Sequence, residues 1–477
     1  MNVTGYGIYL PYWRLERTTI GAALGAPAGV GSRTVASYDE DTTSMGVEAA
    51  REALANSPRR DHEVWFATTA PAYADKTNAN TIHAALGLER HTGAYDVIGA
   101  VRSGFAALRA AADAAAVGRP ALAVLSDIRI GLSGSGDERG GGDAAAAFVF
   151  APDDEPIATE LSSASVTAEF LDRWRIPGEV ASKVWEERFG EAAYMPLAEQ
   201  AVSAALAKAG LLPTDVTHFL VAGPHERAAS RVAGRVKVNA AAVRDDLRRR
   251  IGAAGAAQPG VLLASALDDA NPGDVICLAT IADGADVLLL RATDALPAAR
   301  AARSVVDQMA EGRTNLSYQS FLSWRGLVES QPPRRPDPDR PAAPPSLRNV
   351  GWKFGLECSR CTHCGTRHLP PMRVCMSCRK IDQMEPESLA DVEGVITTYT
   401  VDRLAYSAAG PVIAAIVDFE GGGRYACELT DVDPAELTIG QRVKMTFRRL
   451  YTTADGVQDY FWKARPAREA QMNAEGN

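Results

Sequence analysis

The stretch Asp96-Val-Ile-Gly-Ala-Val-Arg-Ser-Gly-Phe-Ala-Ala107 constrains the first two-thirds of the chain more than any other. A short apolar strand enters a glycine turn, and an Ala-rich helix expected over Phe105 to Ala116 leaves it. A cysteine at such an elbow would have its thiolate stabilised by the helix N-terminus and exposed to substrate by the turn. Val101 occupies the position here, and it can neither ionise nor attack.

Around the elbow the pattern alternates. Strands are expected at Val3–Pro11, Val64–Thr69, Ala121–Asp127, Ala145–Phe150 and Val216–Ala222, followed by a hairpin of Val275–Ile281 with Val287–Arg291. Helices are expected at Met45–Leu54, from Asn80 to Leu86, at Pro196–Ala209 and at Val261–Ala270. Thr167 to Tyr194 reads as a helical excursion from the sheet. Alternation in two successive halves predicts a layered α/β domain with a duplicated unit. The acidic run Asp39-Glu40-Asp41 before Thr42-Thr43-Ser44 reads as a helix-capping and solubilising device. The glycine run Gly134 to Asp143 lacks the lysine of a phosphate loop, so it reads as backbone passing close to a neighbour or ligand.

Prolines crowd between Gln331 and Pro345, a composition that cannot bury a core and marks a linker. Beyond it, Cys361-Thr-His-Cys364 and Cys375-Met-Ser-Cys378 are separated by ten residues. Two such pairs bring four thiolates to a closed tetrahedral zinc site, which holds structure and does not activate water. Cys358, His363 and His368 lie nearby and are read as outside the metal shell. Five strands then follow at Gly394–Asp402, Val412–Glu420, Arg424–Thr430, Arg442–Leu450 and Gln458–Ala464, the pattern of a small five-stranded OB-type barrel. Its aromatics Tyr399, Tyr406, Tyr451, Tyr460, Phe461 and Trp462 are interleaved with as many acids as bases, so they read as core and interface residues.

The net charge of −9 argues against a nucleic-acid partner. The densest cationic run, Arg244 to Arg250, reads as a solvated helix face. No apolar run reaches bilayer length, and the N-terminal residues lack a signal-peptide layout, so no membrane association and a cytoplasmic location are expected.

Several segments carry a family resemblance: Gly5-Tyr-Gly-Ile-Tyr-Leu-Pro11, Asp39-Glu-Asp-Thr-Thr-Ser-Met45, Pro71-Ala-Tyr-Ala-Asp-Lys76, Phe189-Gly-Glu-Ala-Ala-Tyr194 and the glycine run ending in Ala147-Phe148. Through them residues 1–328 resemble the 3-hydroxy-3-methylglutaryl-CoA synthase (ketoacyl synthase III-like) branch of the thiolase superfamily. Residues 348–466 resemble the zinc-ribbon and OB-fold family that accompanies acyl-CoA condensing enzymes, on the cysteine pairs, Pro370-Pro371 and Ile439-Gly-Gln-Arg-Val443. The resemblance implies an αβαβα domain over 1–328, a linker over 329–347, a rubredoxin-like zinc ribbon over 348–388, an OB-fold over 389–466 and a flexible tail over 467–477.

That branch uses a glutamate, a cysteine and a histidine, with a later asparagine. Matched motif by motif, Thr69 takes the glutamate position, Val101 the cysteine and Ala222 the histidine, while the Gly-Asn pair falls at Gly255-Ala256. Without these groups there is no acyl-enzyme and no positioned proton carrier. The resemblance therefore implies a scaffold or regulatory subunit that dimerises, through the thiolase dimer surface, with itself or a cysteine-bearing thiolase subunit. A coenzyme A thioester is its implied ligand. The rival is a cysteine-independent retro-aldolase drawing on Tyr73, His83 or His225, with Tyr9, Asp96 and Asp286 as weaker candidates. A condensing enzyme would need Cys277, the sole cysteine before the linker, on a buried strand.

Overall fold

A computed structural model describes residues 2–27, 29–329, 331, 339–405 and 407–468. Its N-terminal sheet has the order Gly5–Tyr9, Ala144–Phe150, Ala121–Asp127, Glu63–Thr68, Ala94–Ile98. The last three strands run parallel, as the intervening helices require. A second sheet has the order Asn2–Val3, Ala158–Thr167, Gly284–Ala292, Val275–Ile281, His218–Ala222. The expected hairpin at Val275 and Val287 is present and antiparallel.

Helices Ser103–Ala116 and Gln258–Asp269 lie between the two sheets, and their alanines and leucines form one core with both. Alanine at these positions lets two helices and two sheets approach closely without voids. Helices Thr42–Ala53 and Ala79–Ala85 cover the outer face of the first sheet, and Glu187–Ala209 with Glu226–Val236 cover the second. The five layers are the αβαβα arrangement expected from the sequence.

The OB barrel follows with strand order Arg424–Glu428, Val412–Phe419, Gly394–Asp402, Arg442–Thr452, Gln458–Pro466. A bridge between Leu429 and Ala464 joins its two edges. Before it, the Glu357–Cys361 strand pairs with Arg367–His368 and Met384–Ser388. Sulfur atoms of Cys361, Cys364, Cys375 and Cys378 all lie within 4.8 Å of one another.

Strand Arg442–Thr452 docks on helix Thr42–Ala53, and helix Val350–Gly355 docks on Ala79–Ala85. The seam is built on ions. Arg448, fully buried, reaches Asp39 at 3.3 Å, Glu40 at 2.7 Å and Asp431 at 2.6 Å, and donates to the Tyr9 hydroxyl at 3.0 Å. Lys463 lies 3.1 Å from Asp39, and the Tyr460 hydroxyl donates to Asp41 at 2.6 Å. Burial alone would raise the Asp39 carboxyl, but Lys463 and Arg448 outweigh it and hold it down at about 2.

Several expectations need correction. The acidic run is not a solubilising device: Asp41 does cap the helix, accepting from the Ser44 amide at 2.8 Å, but Asp39, Glu40 and Asp41 are all buried against the barrel. Thr167 to Tyr194 is not a helical excursion. It is largely an irregular ribbon with a two-stranded pairing of Arg173–Trp174 and Lys183–Val184, and the helix begins at Glu187 and runs through Pro196. Gly178 and Pro177 break the helical pattern that the charged and aromatic residues suggest. Arg244–Arg250 is not a helix face either, because it is spent on local partners. Arg248 is buried and donates to the Gly223 carbonyl, while Arg250 pairs with Asp245. Part of the expected linker, Ala343–Arg348, is a short helix. Residues 330 and 332–338, Tyr406 and 469–477 lie outside the described residues.

Removing Arg448 would leave buried Glu40 and Asp431 without their cation, while Asp39 would keep Lys463. Arg448→Met is therefore expected to cost about 3–5 kcal/mol, read as a lower denaturant midpoint and as faster proteolysis between the two domains. An unchanged midpoint would show that the ions contribute nothing to docking.

Candidate active site

Carboxyl ends of parallel strands are where α/β sheets place ligands. Four segments meet there: the turn after Glu63–Thr68, the elbow after Ala94–Ile98, the end of Ala121–Asp127 and the loop after His218–Ala222. Between them lies a cavity of about 220 Å³ lined by Thr69, Gly99 to Val101, Arg129, Tyr194, Pro224, Ala282 and Asp283. The ribbon supplies the remaining wall through Arg173, Trp174, Arg175 and Ser182.

Asp127 holds the cavity's frame. Its carboxylate accepts from the Thr69 amide at 3.1 Å, the Thr69 hydroxyl at 2.8 Å and the Ala256 amide at 2.8 Å. Residue 255 must be glycine for this to happen: its φ is +53°, and a Cβ there would sit 1.9 Å from an Asp127 oxygen. Gly104 serves the same convergence, since a Cβ would lie 2.1 Å from the Ala256 carbonyl. Burial raises the Asp127 carboxyl above its ordinary range, opposed by Arg129 4.0 Å away and by the hydrogen bonds it accepts.

The structure thus brings Thr69 and Val101 to one cavity, with Ala256 joined to Thr69 through Asp127. Ala222 is fully buried at its strand end, two residues before Pro224 on the cavity wall. Among the described residues that line the cavity there is no cysteine, histidine or glutamate.

The other candidates are spread elsewhere. The Tyr73 hydroxyl accepts from the Gln458 amide of the barrel at 2.7 Å. His83 contacts the Thr92 hydroxyl at 2.8 Å on the outer helix layer, and burial lowers its pKa. His225 caps helix Glu226–Val236: its Nδ1 accepts from the Ala228 amide at 3.1 Å. That leaves Nε2 to donate to the Glu187 carbonyl at 2.8 Å, so both ring nitrogens are occupied. Tyr9 belongs to the ionic seam, Asp96 caps helix Ala79–Ala85 through the Ala79 amide, and Asp286 pairs with Arg102. Cys277 is fully buried in its strand, and burial pushes its thiol up to about 12.

Sequence reasoning missed Asp127, Arg129, Arg173 and Arg175. The one available signal was the charged pair Asp127 and Arg129 at the end of a strand that opens with the apolar run Ala121 to Leu125, where a buried strand end meets polar work. A larger cleft of about 1320 Å³ lies between the domains, lined by Glu48, Arg51, Arg442 and Arg465 among others. None of the candidate catalytic positions but the seam residue Tyr9 reaches it.

The chain is 30% identical over 341 residues to a hydroxymethylglutaryl-CoA synthase of Aeropyrum pernix, covering 69% of this chain and 94% of that one. It is 28% identical over 335 residues to the hydroxymethylglutaryl-CoA synthase of Pyrococcus furiosus, covering 68% and 96%. A crystal structure of HMG-CoA synthase complexed with CoA superimposes with a TM-score of 0.61 at 18% identity, covering 69% of this chain and 92% of that one. The 3-oxoacyl-[acyl-carrier-protein] synthase III of Aquifex aeolicus superimposes at 0.54 and 20% identity, covering 61% and 99%. Residues 387–448 match the family described as ChsH2, C-terminal OB-fold domain. The chain belongs to the hydroxymethylglutaryl-CoA synthase family of the thiolase superfamily, with an OB-fold domain fused at its C-terminal end.

Proposed function

We propose that this chain is the acyl-CoA-handling, non-catalytic companion of a cysteine-bearing thiolase or acyltransferase that makes or breaks C–C bonds. The observation that carries the reading is the elbow cavity, where Val101 stands at the turn and Thr69 opposite, with no thiol, imidazole or glutamate among the described residues of the wall. Acyl transfer through an enzyme thioester needs a thiolate and a group to move its proton, and this wall offers neither. The relatives' names state a synthase. On this chain that activity would need a thiol that Cys277, protonated and buried, does not supply.

Two exposed features favour a partner. Strand Ala94–Ile98 forms an open edge of its sheet, with Tyr95 and Ile98 half-exposed. Leu171, Ile176, Val180, Val184 and Trp185 expose large apolar surface on the ribbon beside the cavity, continued by Phe189 in the first turn of the helix that follows. Apolar exposure on this scale marks interaction surfaces.

A second reading, a cysteine-free acyl-CoA lyase, draws on Asp283. It lines the cavity, and burial raises its carboxyl, as a general base for retro-aldol cleavage requires. Release of aldehyde or ketone from a β-hydroxyacyl-CoA by the chain alone would favour it.

The four-cysteine cluster fits a structural zinc ion, since its donors are all sulfur and leave no place for water. Cys361, Cys364, Cys375 and Cys378 would hold it. Metal analysis is expected to find one zinc per chain, and its removal by a chelator is expected to melt the ribbon at 357–388. A full complement of folded ribbon without metal would contradict that assignment.

Affinity capture of the tagged chain from its own source is expected to bring down a thiolase-fold protein that retains its cysteine, identified by mass spectrometry. Capture of the chain alone at native expression, together with condensing activity of the purified chain, would overturn the companion reading.

A further inference from the structure

The ionic seam between the domains carries more acid than base at its centre. Glu40 and Asp431 have Arg448 as their sole ion-pair partner among the described residues. Asp39 shares that cation and adds Lys463, which half-exposed Glu428 also claims at 2.9 Å. Three carboxylates and two cations are thus buried together. The hydrogen bonds repeat the imbalance. Glu40 accepts from the Tyr9 hydroxyl and from the Ser37 amide at 2.7 Å, and Asp39 from the Thr430 hydroxyl at 2.9 Å. Asp431 accepts from Arg448 at 2.6 Å through Oδ2, yet its buried Oδ1 meets no donor among the described residues. A buried carboxylate oxygen without a donor is unfavourable, and one more proton in the cluster offsets the excess of acceptors.

The other charges around Glu40 do not remove that excess. Arg465 lies over the Tyr9 ring at 5.3 Å but pairs with Glu48 at 3.2 Å. Arg51 pairs with the same Glu48 and with Asp391. Arg14 donates to the Pro11 and Gln308 carbonyls, and Arg468 to the Asp431 carbonyl. Asp41 is occupied by the Ser44 amide and the Tyr460 hydroxyl. Burial raises the Glu40 carboxyl, Arg448 opposes it, and Asp431 and Asp39 raise it again, to about 7. Burial also lifts the Tyr9 hydroxyl far above its ordinary value, so it stays a donor.

We propose that docking of the barrel takes up one proton from solvent, held by Glu40 in the cluster with Asp39, Asp431 and Arg448, so that the seam tightens on acidification through neutrality. With the domains apart, Glu40 meets water and is ionised at neutral pH; docked, it keeps the proton. The docked form binds more protons, so docking is strongest below the ordinary glutamate value and weakens as pH rises through the raised one. Asp39, held at about 2, works with the opposite sign and only in strong acid. None of these groups lines the elbow cavity, and the seam titrates whether or not that cavity takes acyl-CoA.

Hydrogen exchange on the full chain tests this, read as protection of the amides of helix Thr42–Ala53 and strand Arg442–Thr452 where exchange reports the opening equilibrium. From about pH 8.5 to about pH 6, protection is expected to rise about tenfold more in the unsubstituted chain than in Glu40→Gln. His62 and His83, whose pKa values burial lowers, titrate with the opposite sign, but both proteins carry them. Asp431→Asn removes a neighbouring carboxylate and leaves Glu40 in place; it is expected to flatten the same rise, and it decides the matter if Glu40→Gln does not fold. Equal rises in the unsubstituted chain and the folded variants would overturn the proton uptake. A rise lost in Asp431→Asn but kept in Glu40→Gln would overturn the assignment to Glu40 and place the proton on Asp431.

Discussion

The contact on which the two-domain arrangement depends is Arg448 of the barrel inserted among Asp39, Glu40 and Asp431 at the seam. Charges so fully removed from water are tolerated only when each meets a partner. Here each domain supplies what the other lacks: two of the acids stand before helix Thr42–Ala53, and the cations come from barrel strands Arg442–Thr452 and Gln458–Pro466. Apolar packing supports the seam, with Phe447 and Trp462 in one core with Met45, Ala49 and Ile82. Such a seam makes the barrel part of the folded body of the large domain. It also explains why Tyr73, a candidate for chemistry, spends its hydroxyl on the barrel amide of Gln458.

The elbow site follows a parallel logic with a different outcome. Asp127 draws the Thr69 turn and the Gly255–Ala257 turn onto the elbow, so the positions that the sequence resemblance matches to reactive groups are closely framed. What occupies the frame is a valine, a threonine that serves Asp127, and arginines from a ribbon. The geometry is that of a binding pocket, with fixed positive charge and an apolar floor.

Much of this was legible in the sequence. The elbow, the hairpin at Val275, the four-cysteine pattern and the five barrel strands each rest on local signals such as periodicity, glycine turns and paired ligands, and each stands where expected. The glycine run was also legible. A Cβ on Gly142 would sit 1.8 Å from the Ile251 carbonyl, so backbone does pass against backbone there. What stayed hidden depends on partners remote in sequence. Asp39 looks like a solvated acid until Arg448 and Lys463, some four hundred residues later, fold onto it. The ribbon of 168–186 carries helix-forming residues, yet its role is to line a cavity and its shape is set by what it covers. Asp127 and Arg129 gave one local cue, but nothing nearby told that their partners would be Thr69 and Ala256.

The central claim is that the elbow cavity binds acyl groups without bonding to them. Intact-mass measurement of the purified chain after incubation with acetyl-CoA and acetoacetyl-CoA tests this most directly. The account predicts a protein of unchanged mass at every time and concentration. An acyl adduct, mapped by peptide digestion to any side chain within residues 1–328, would contradict it.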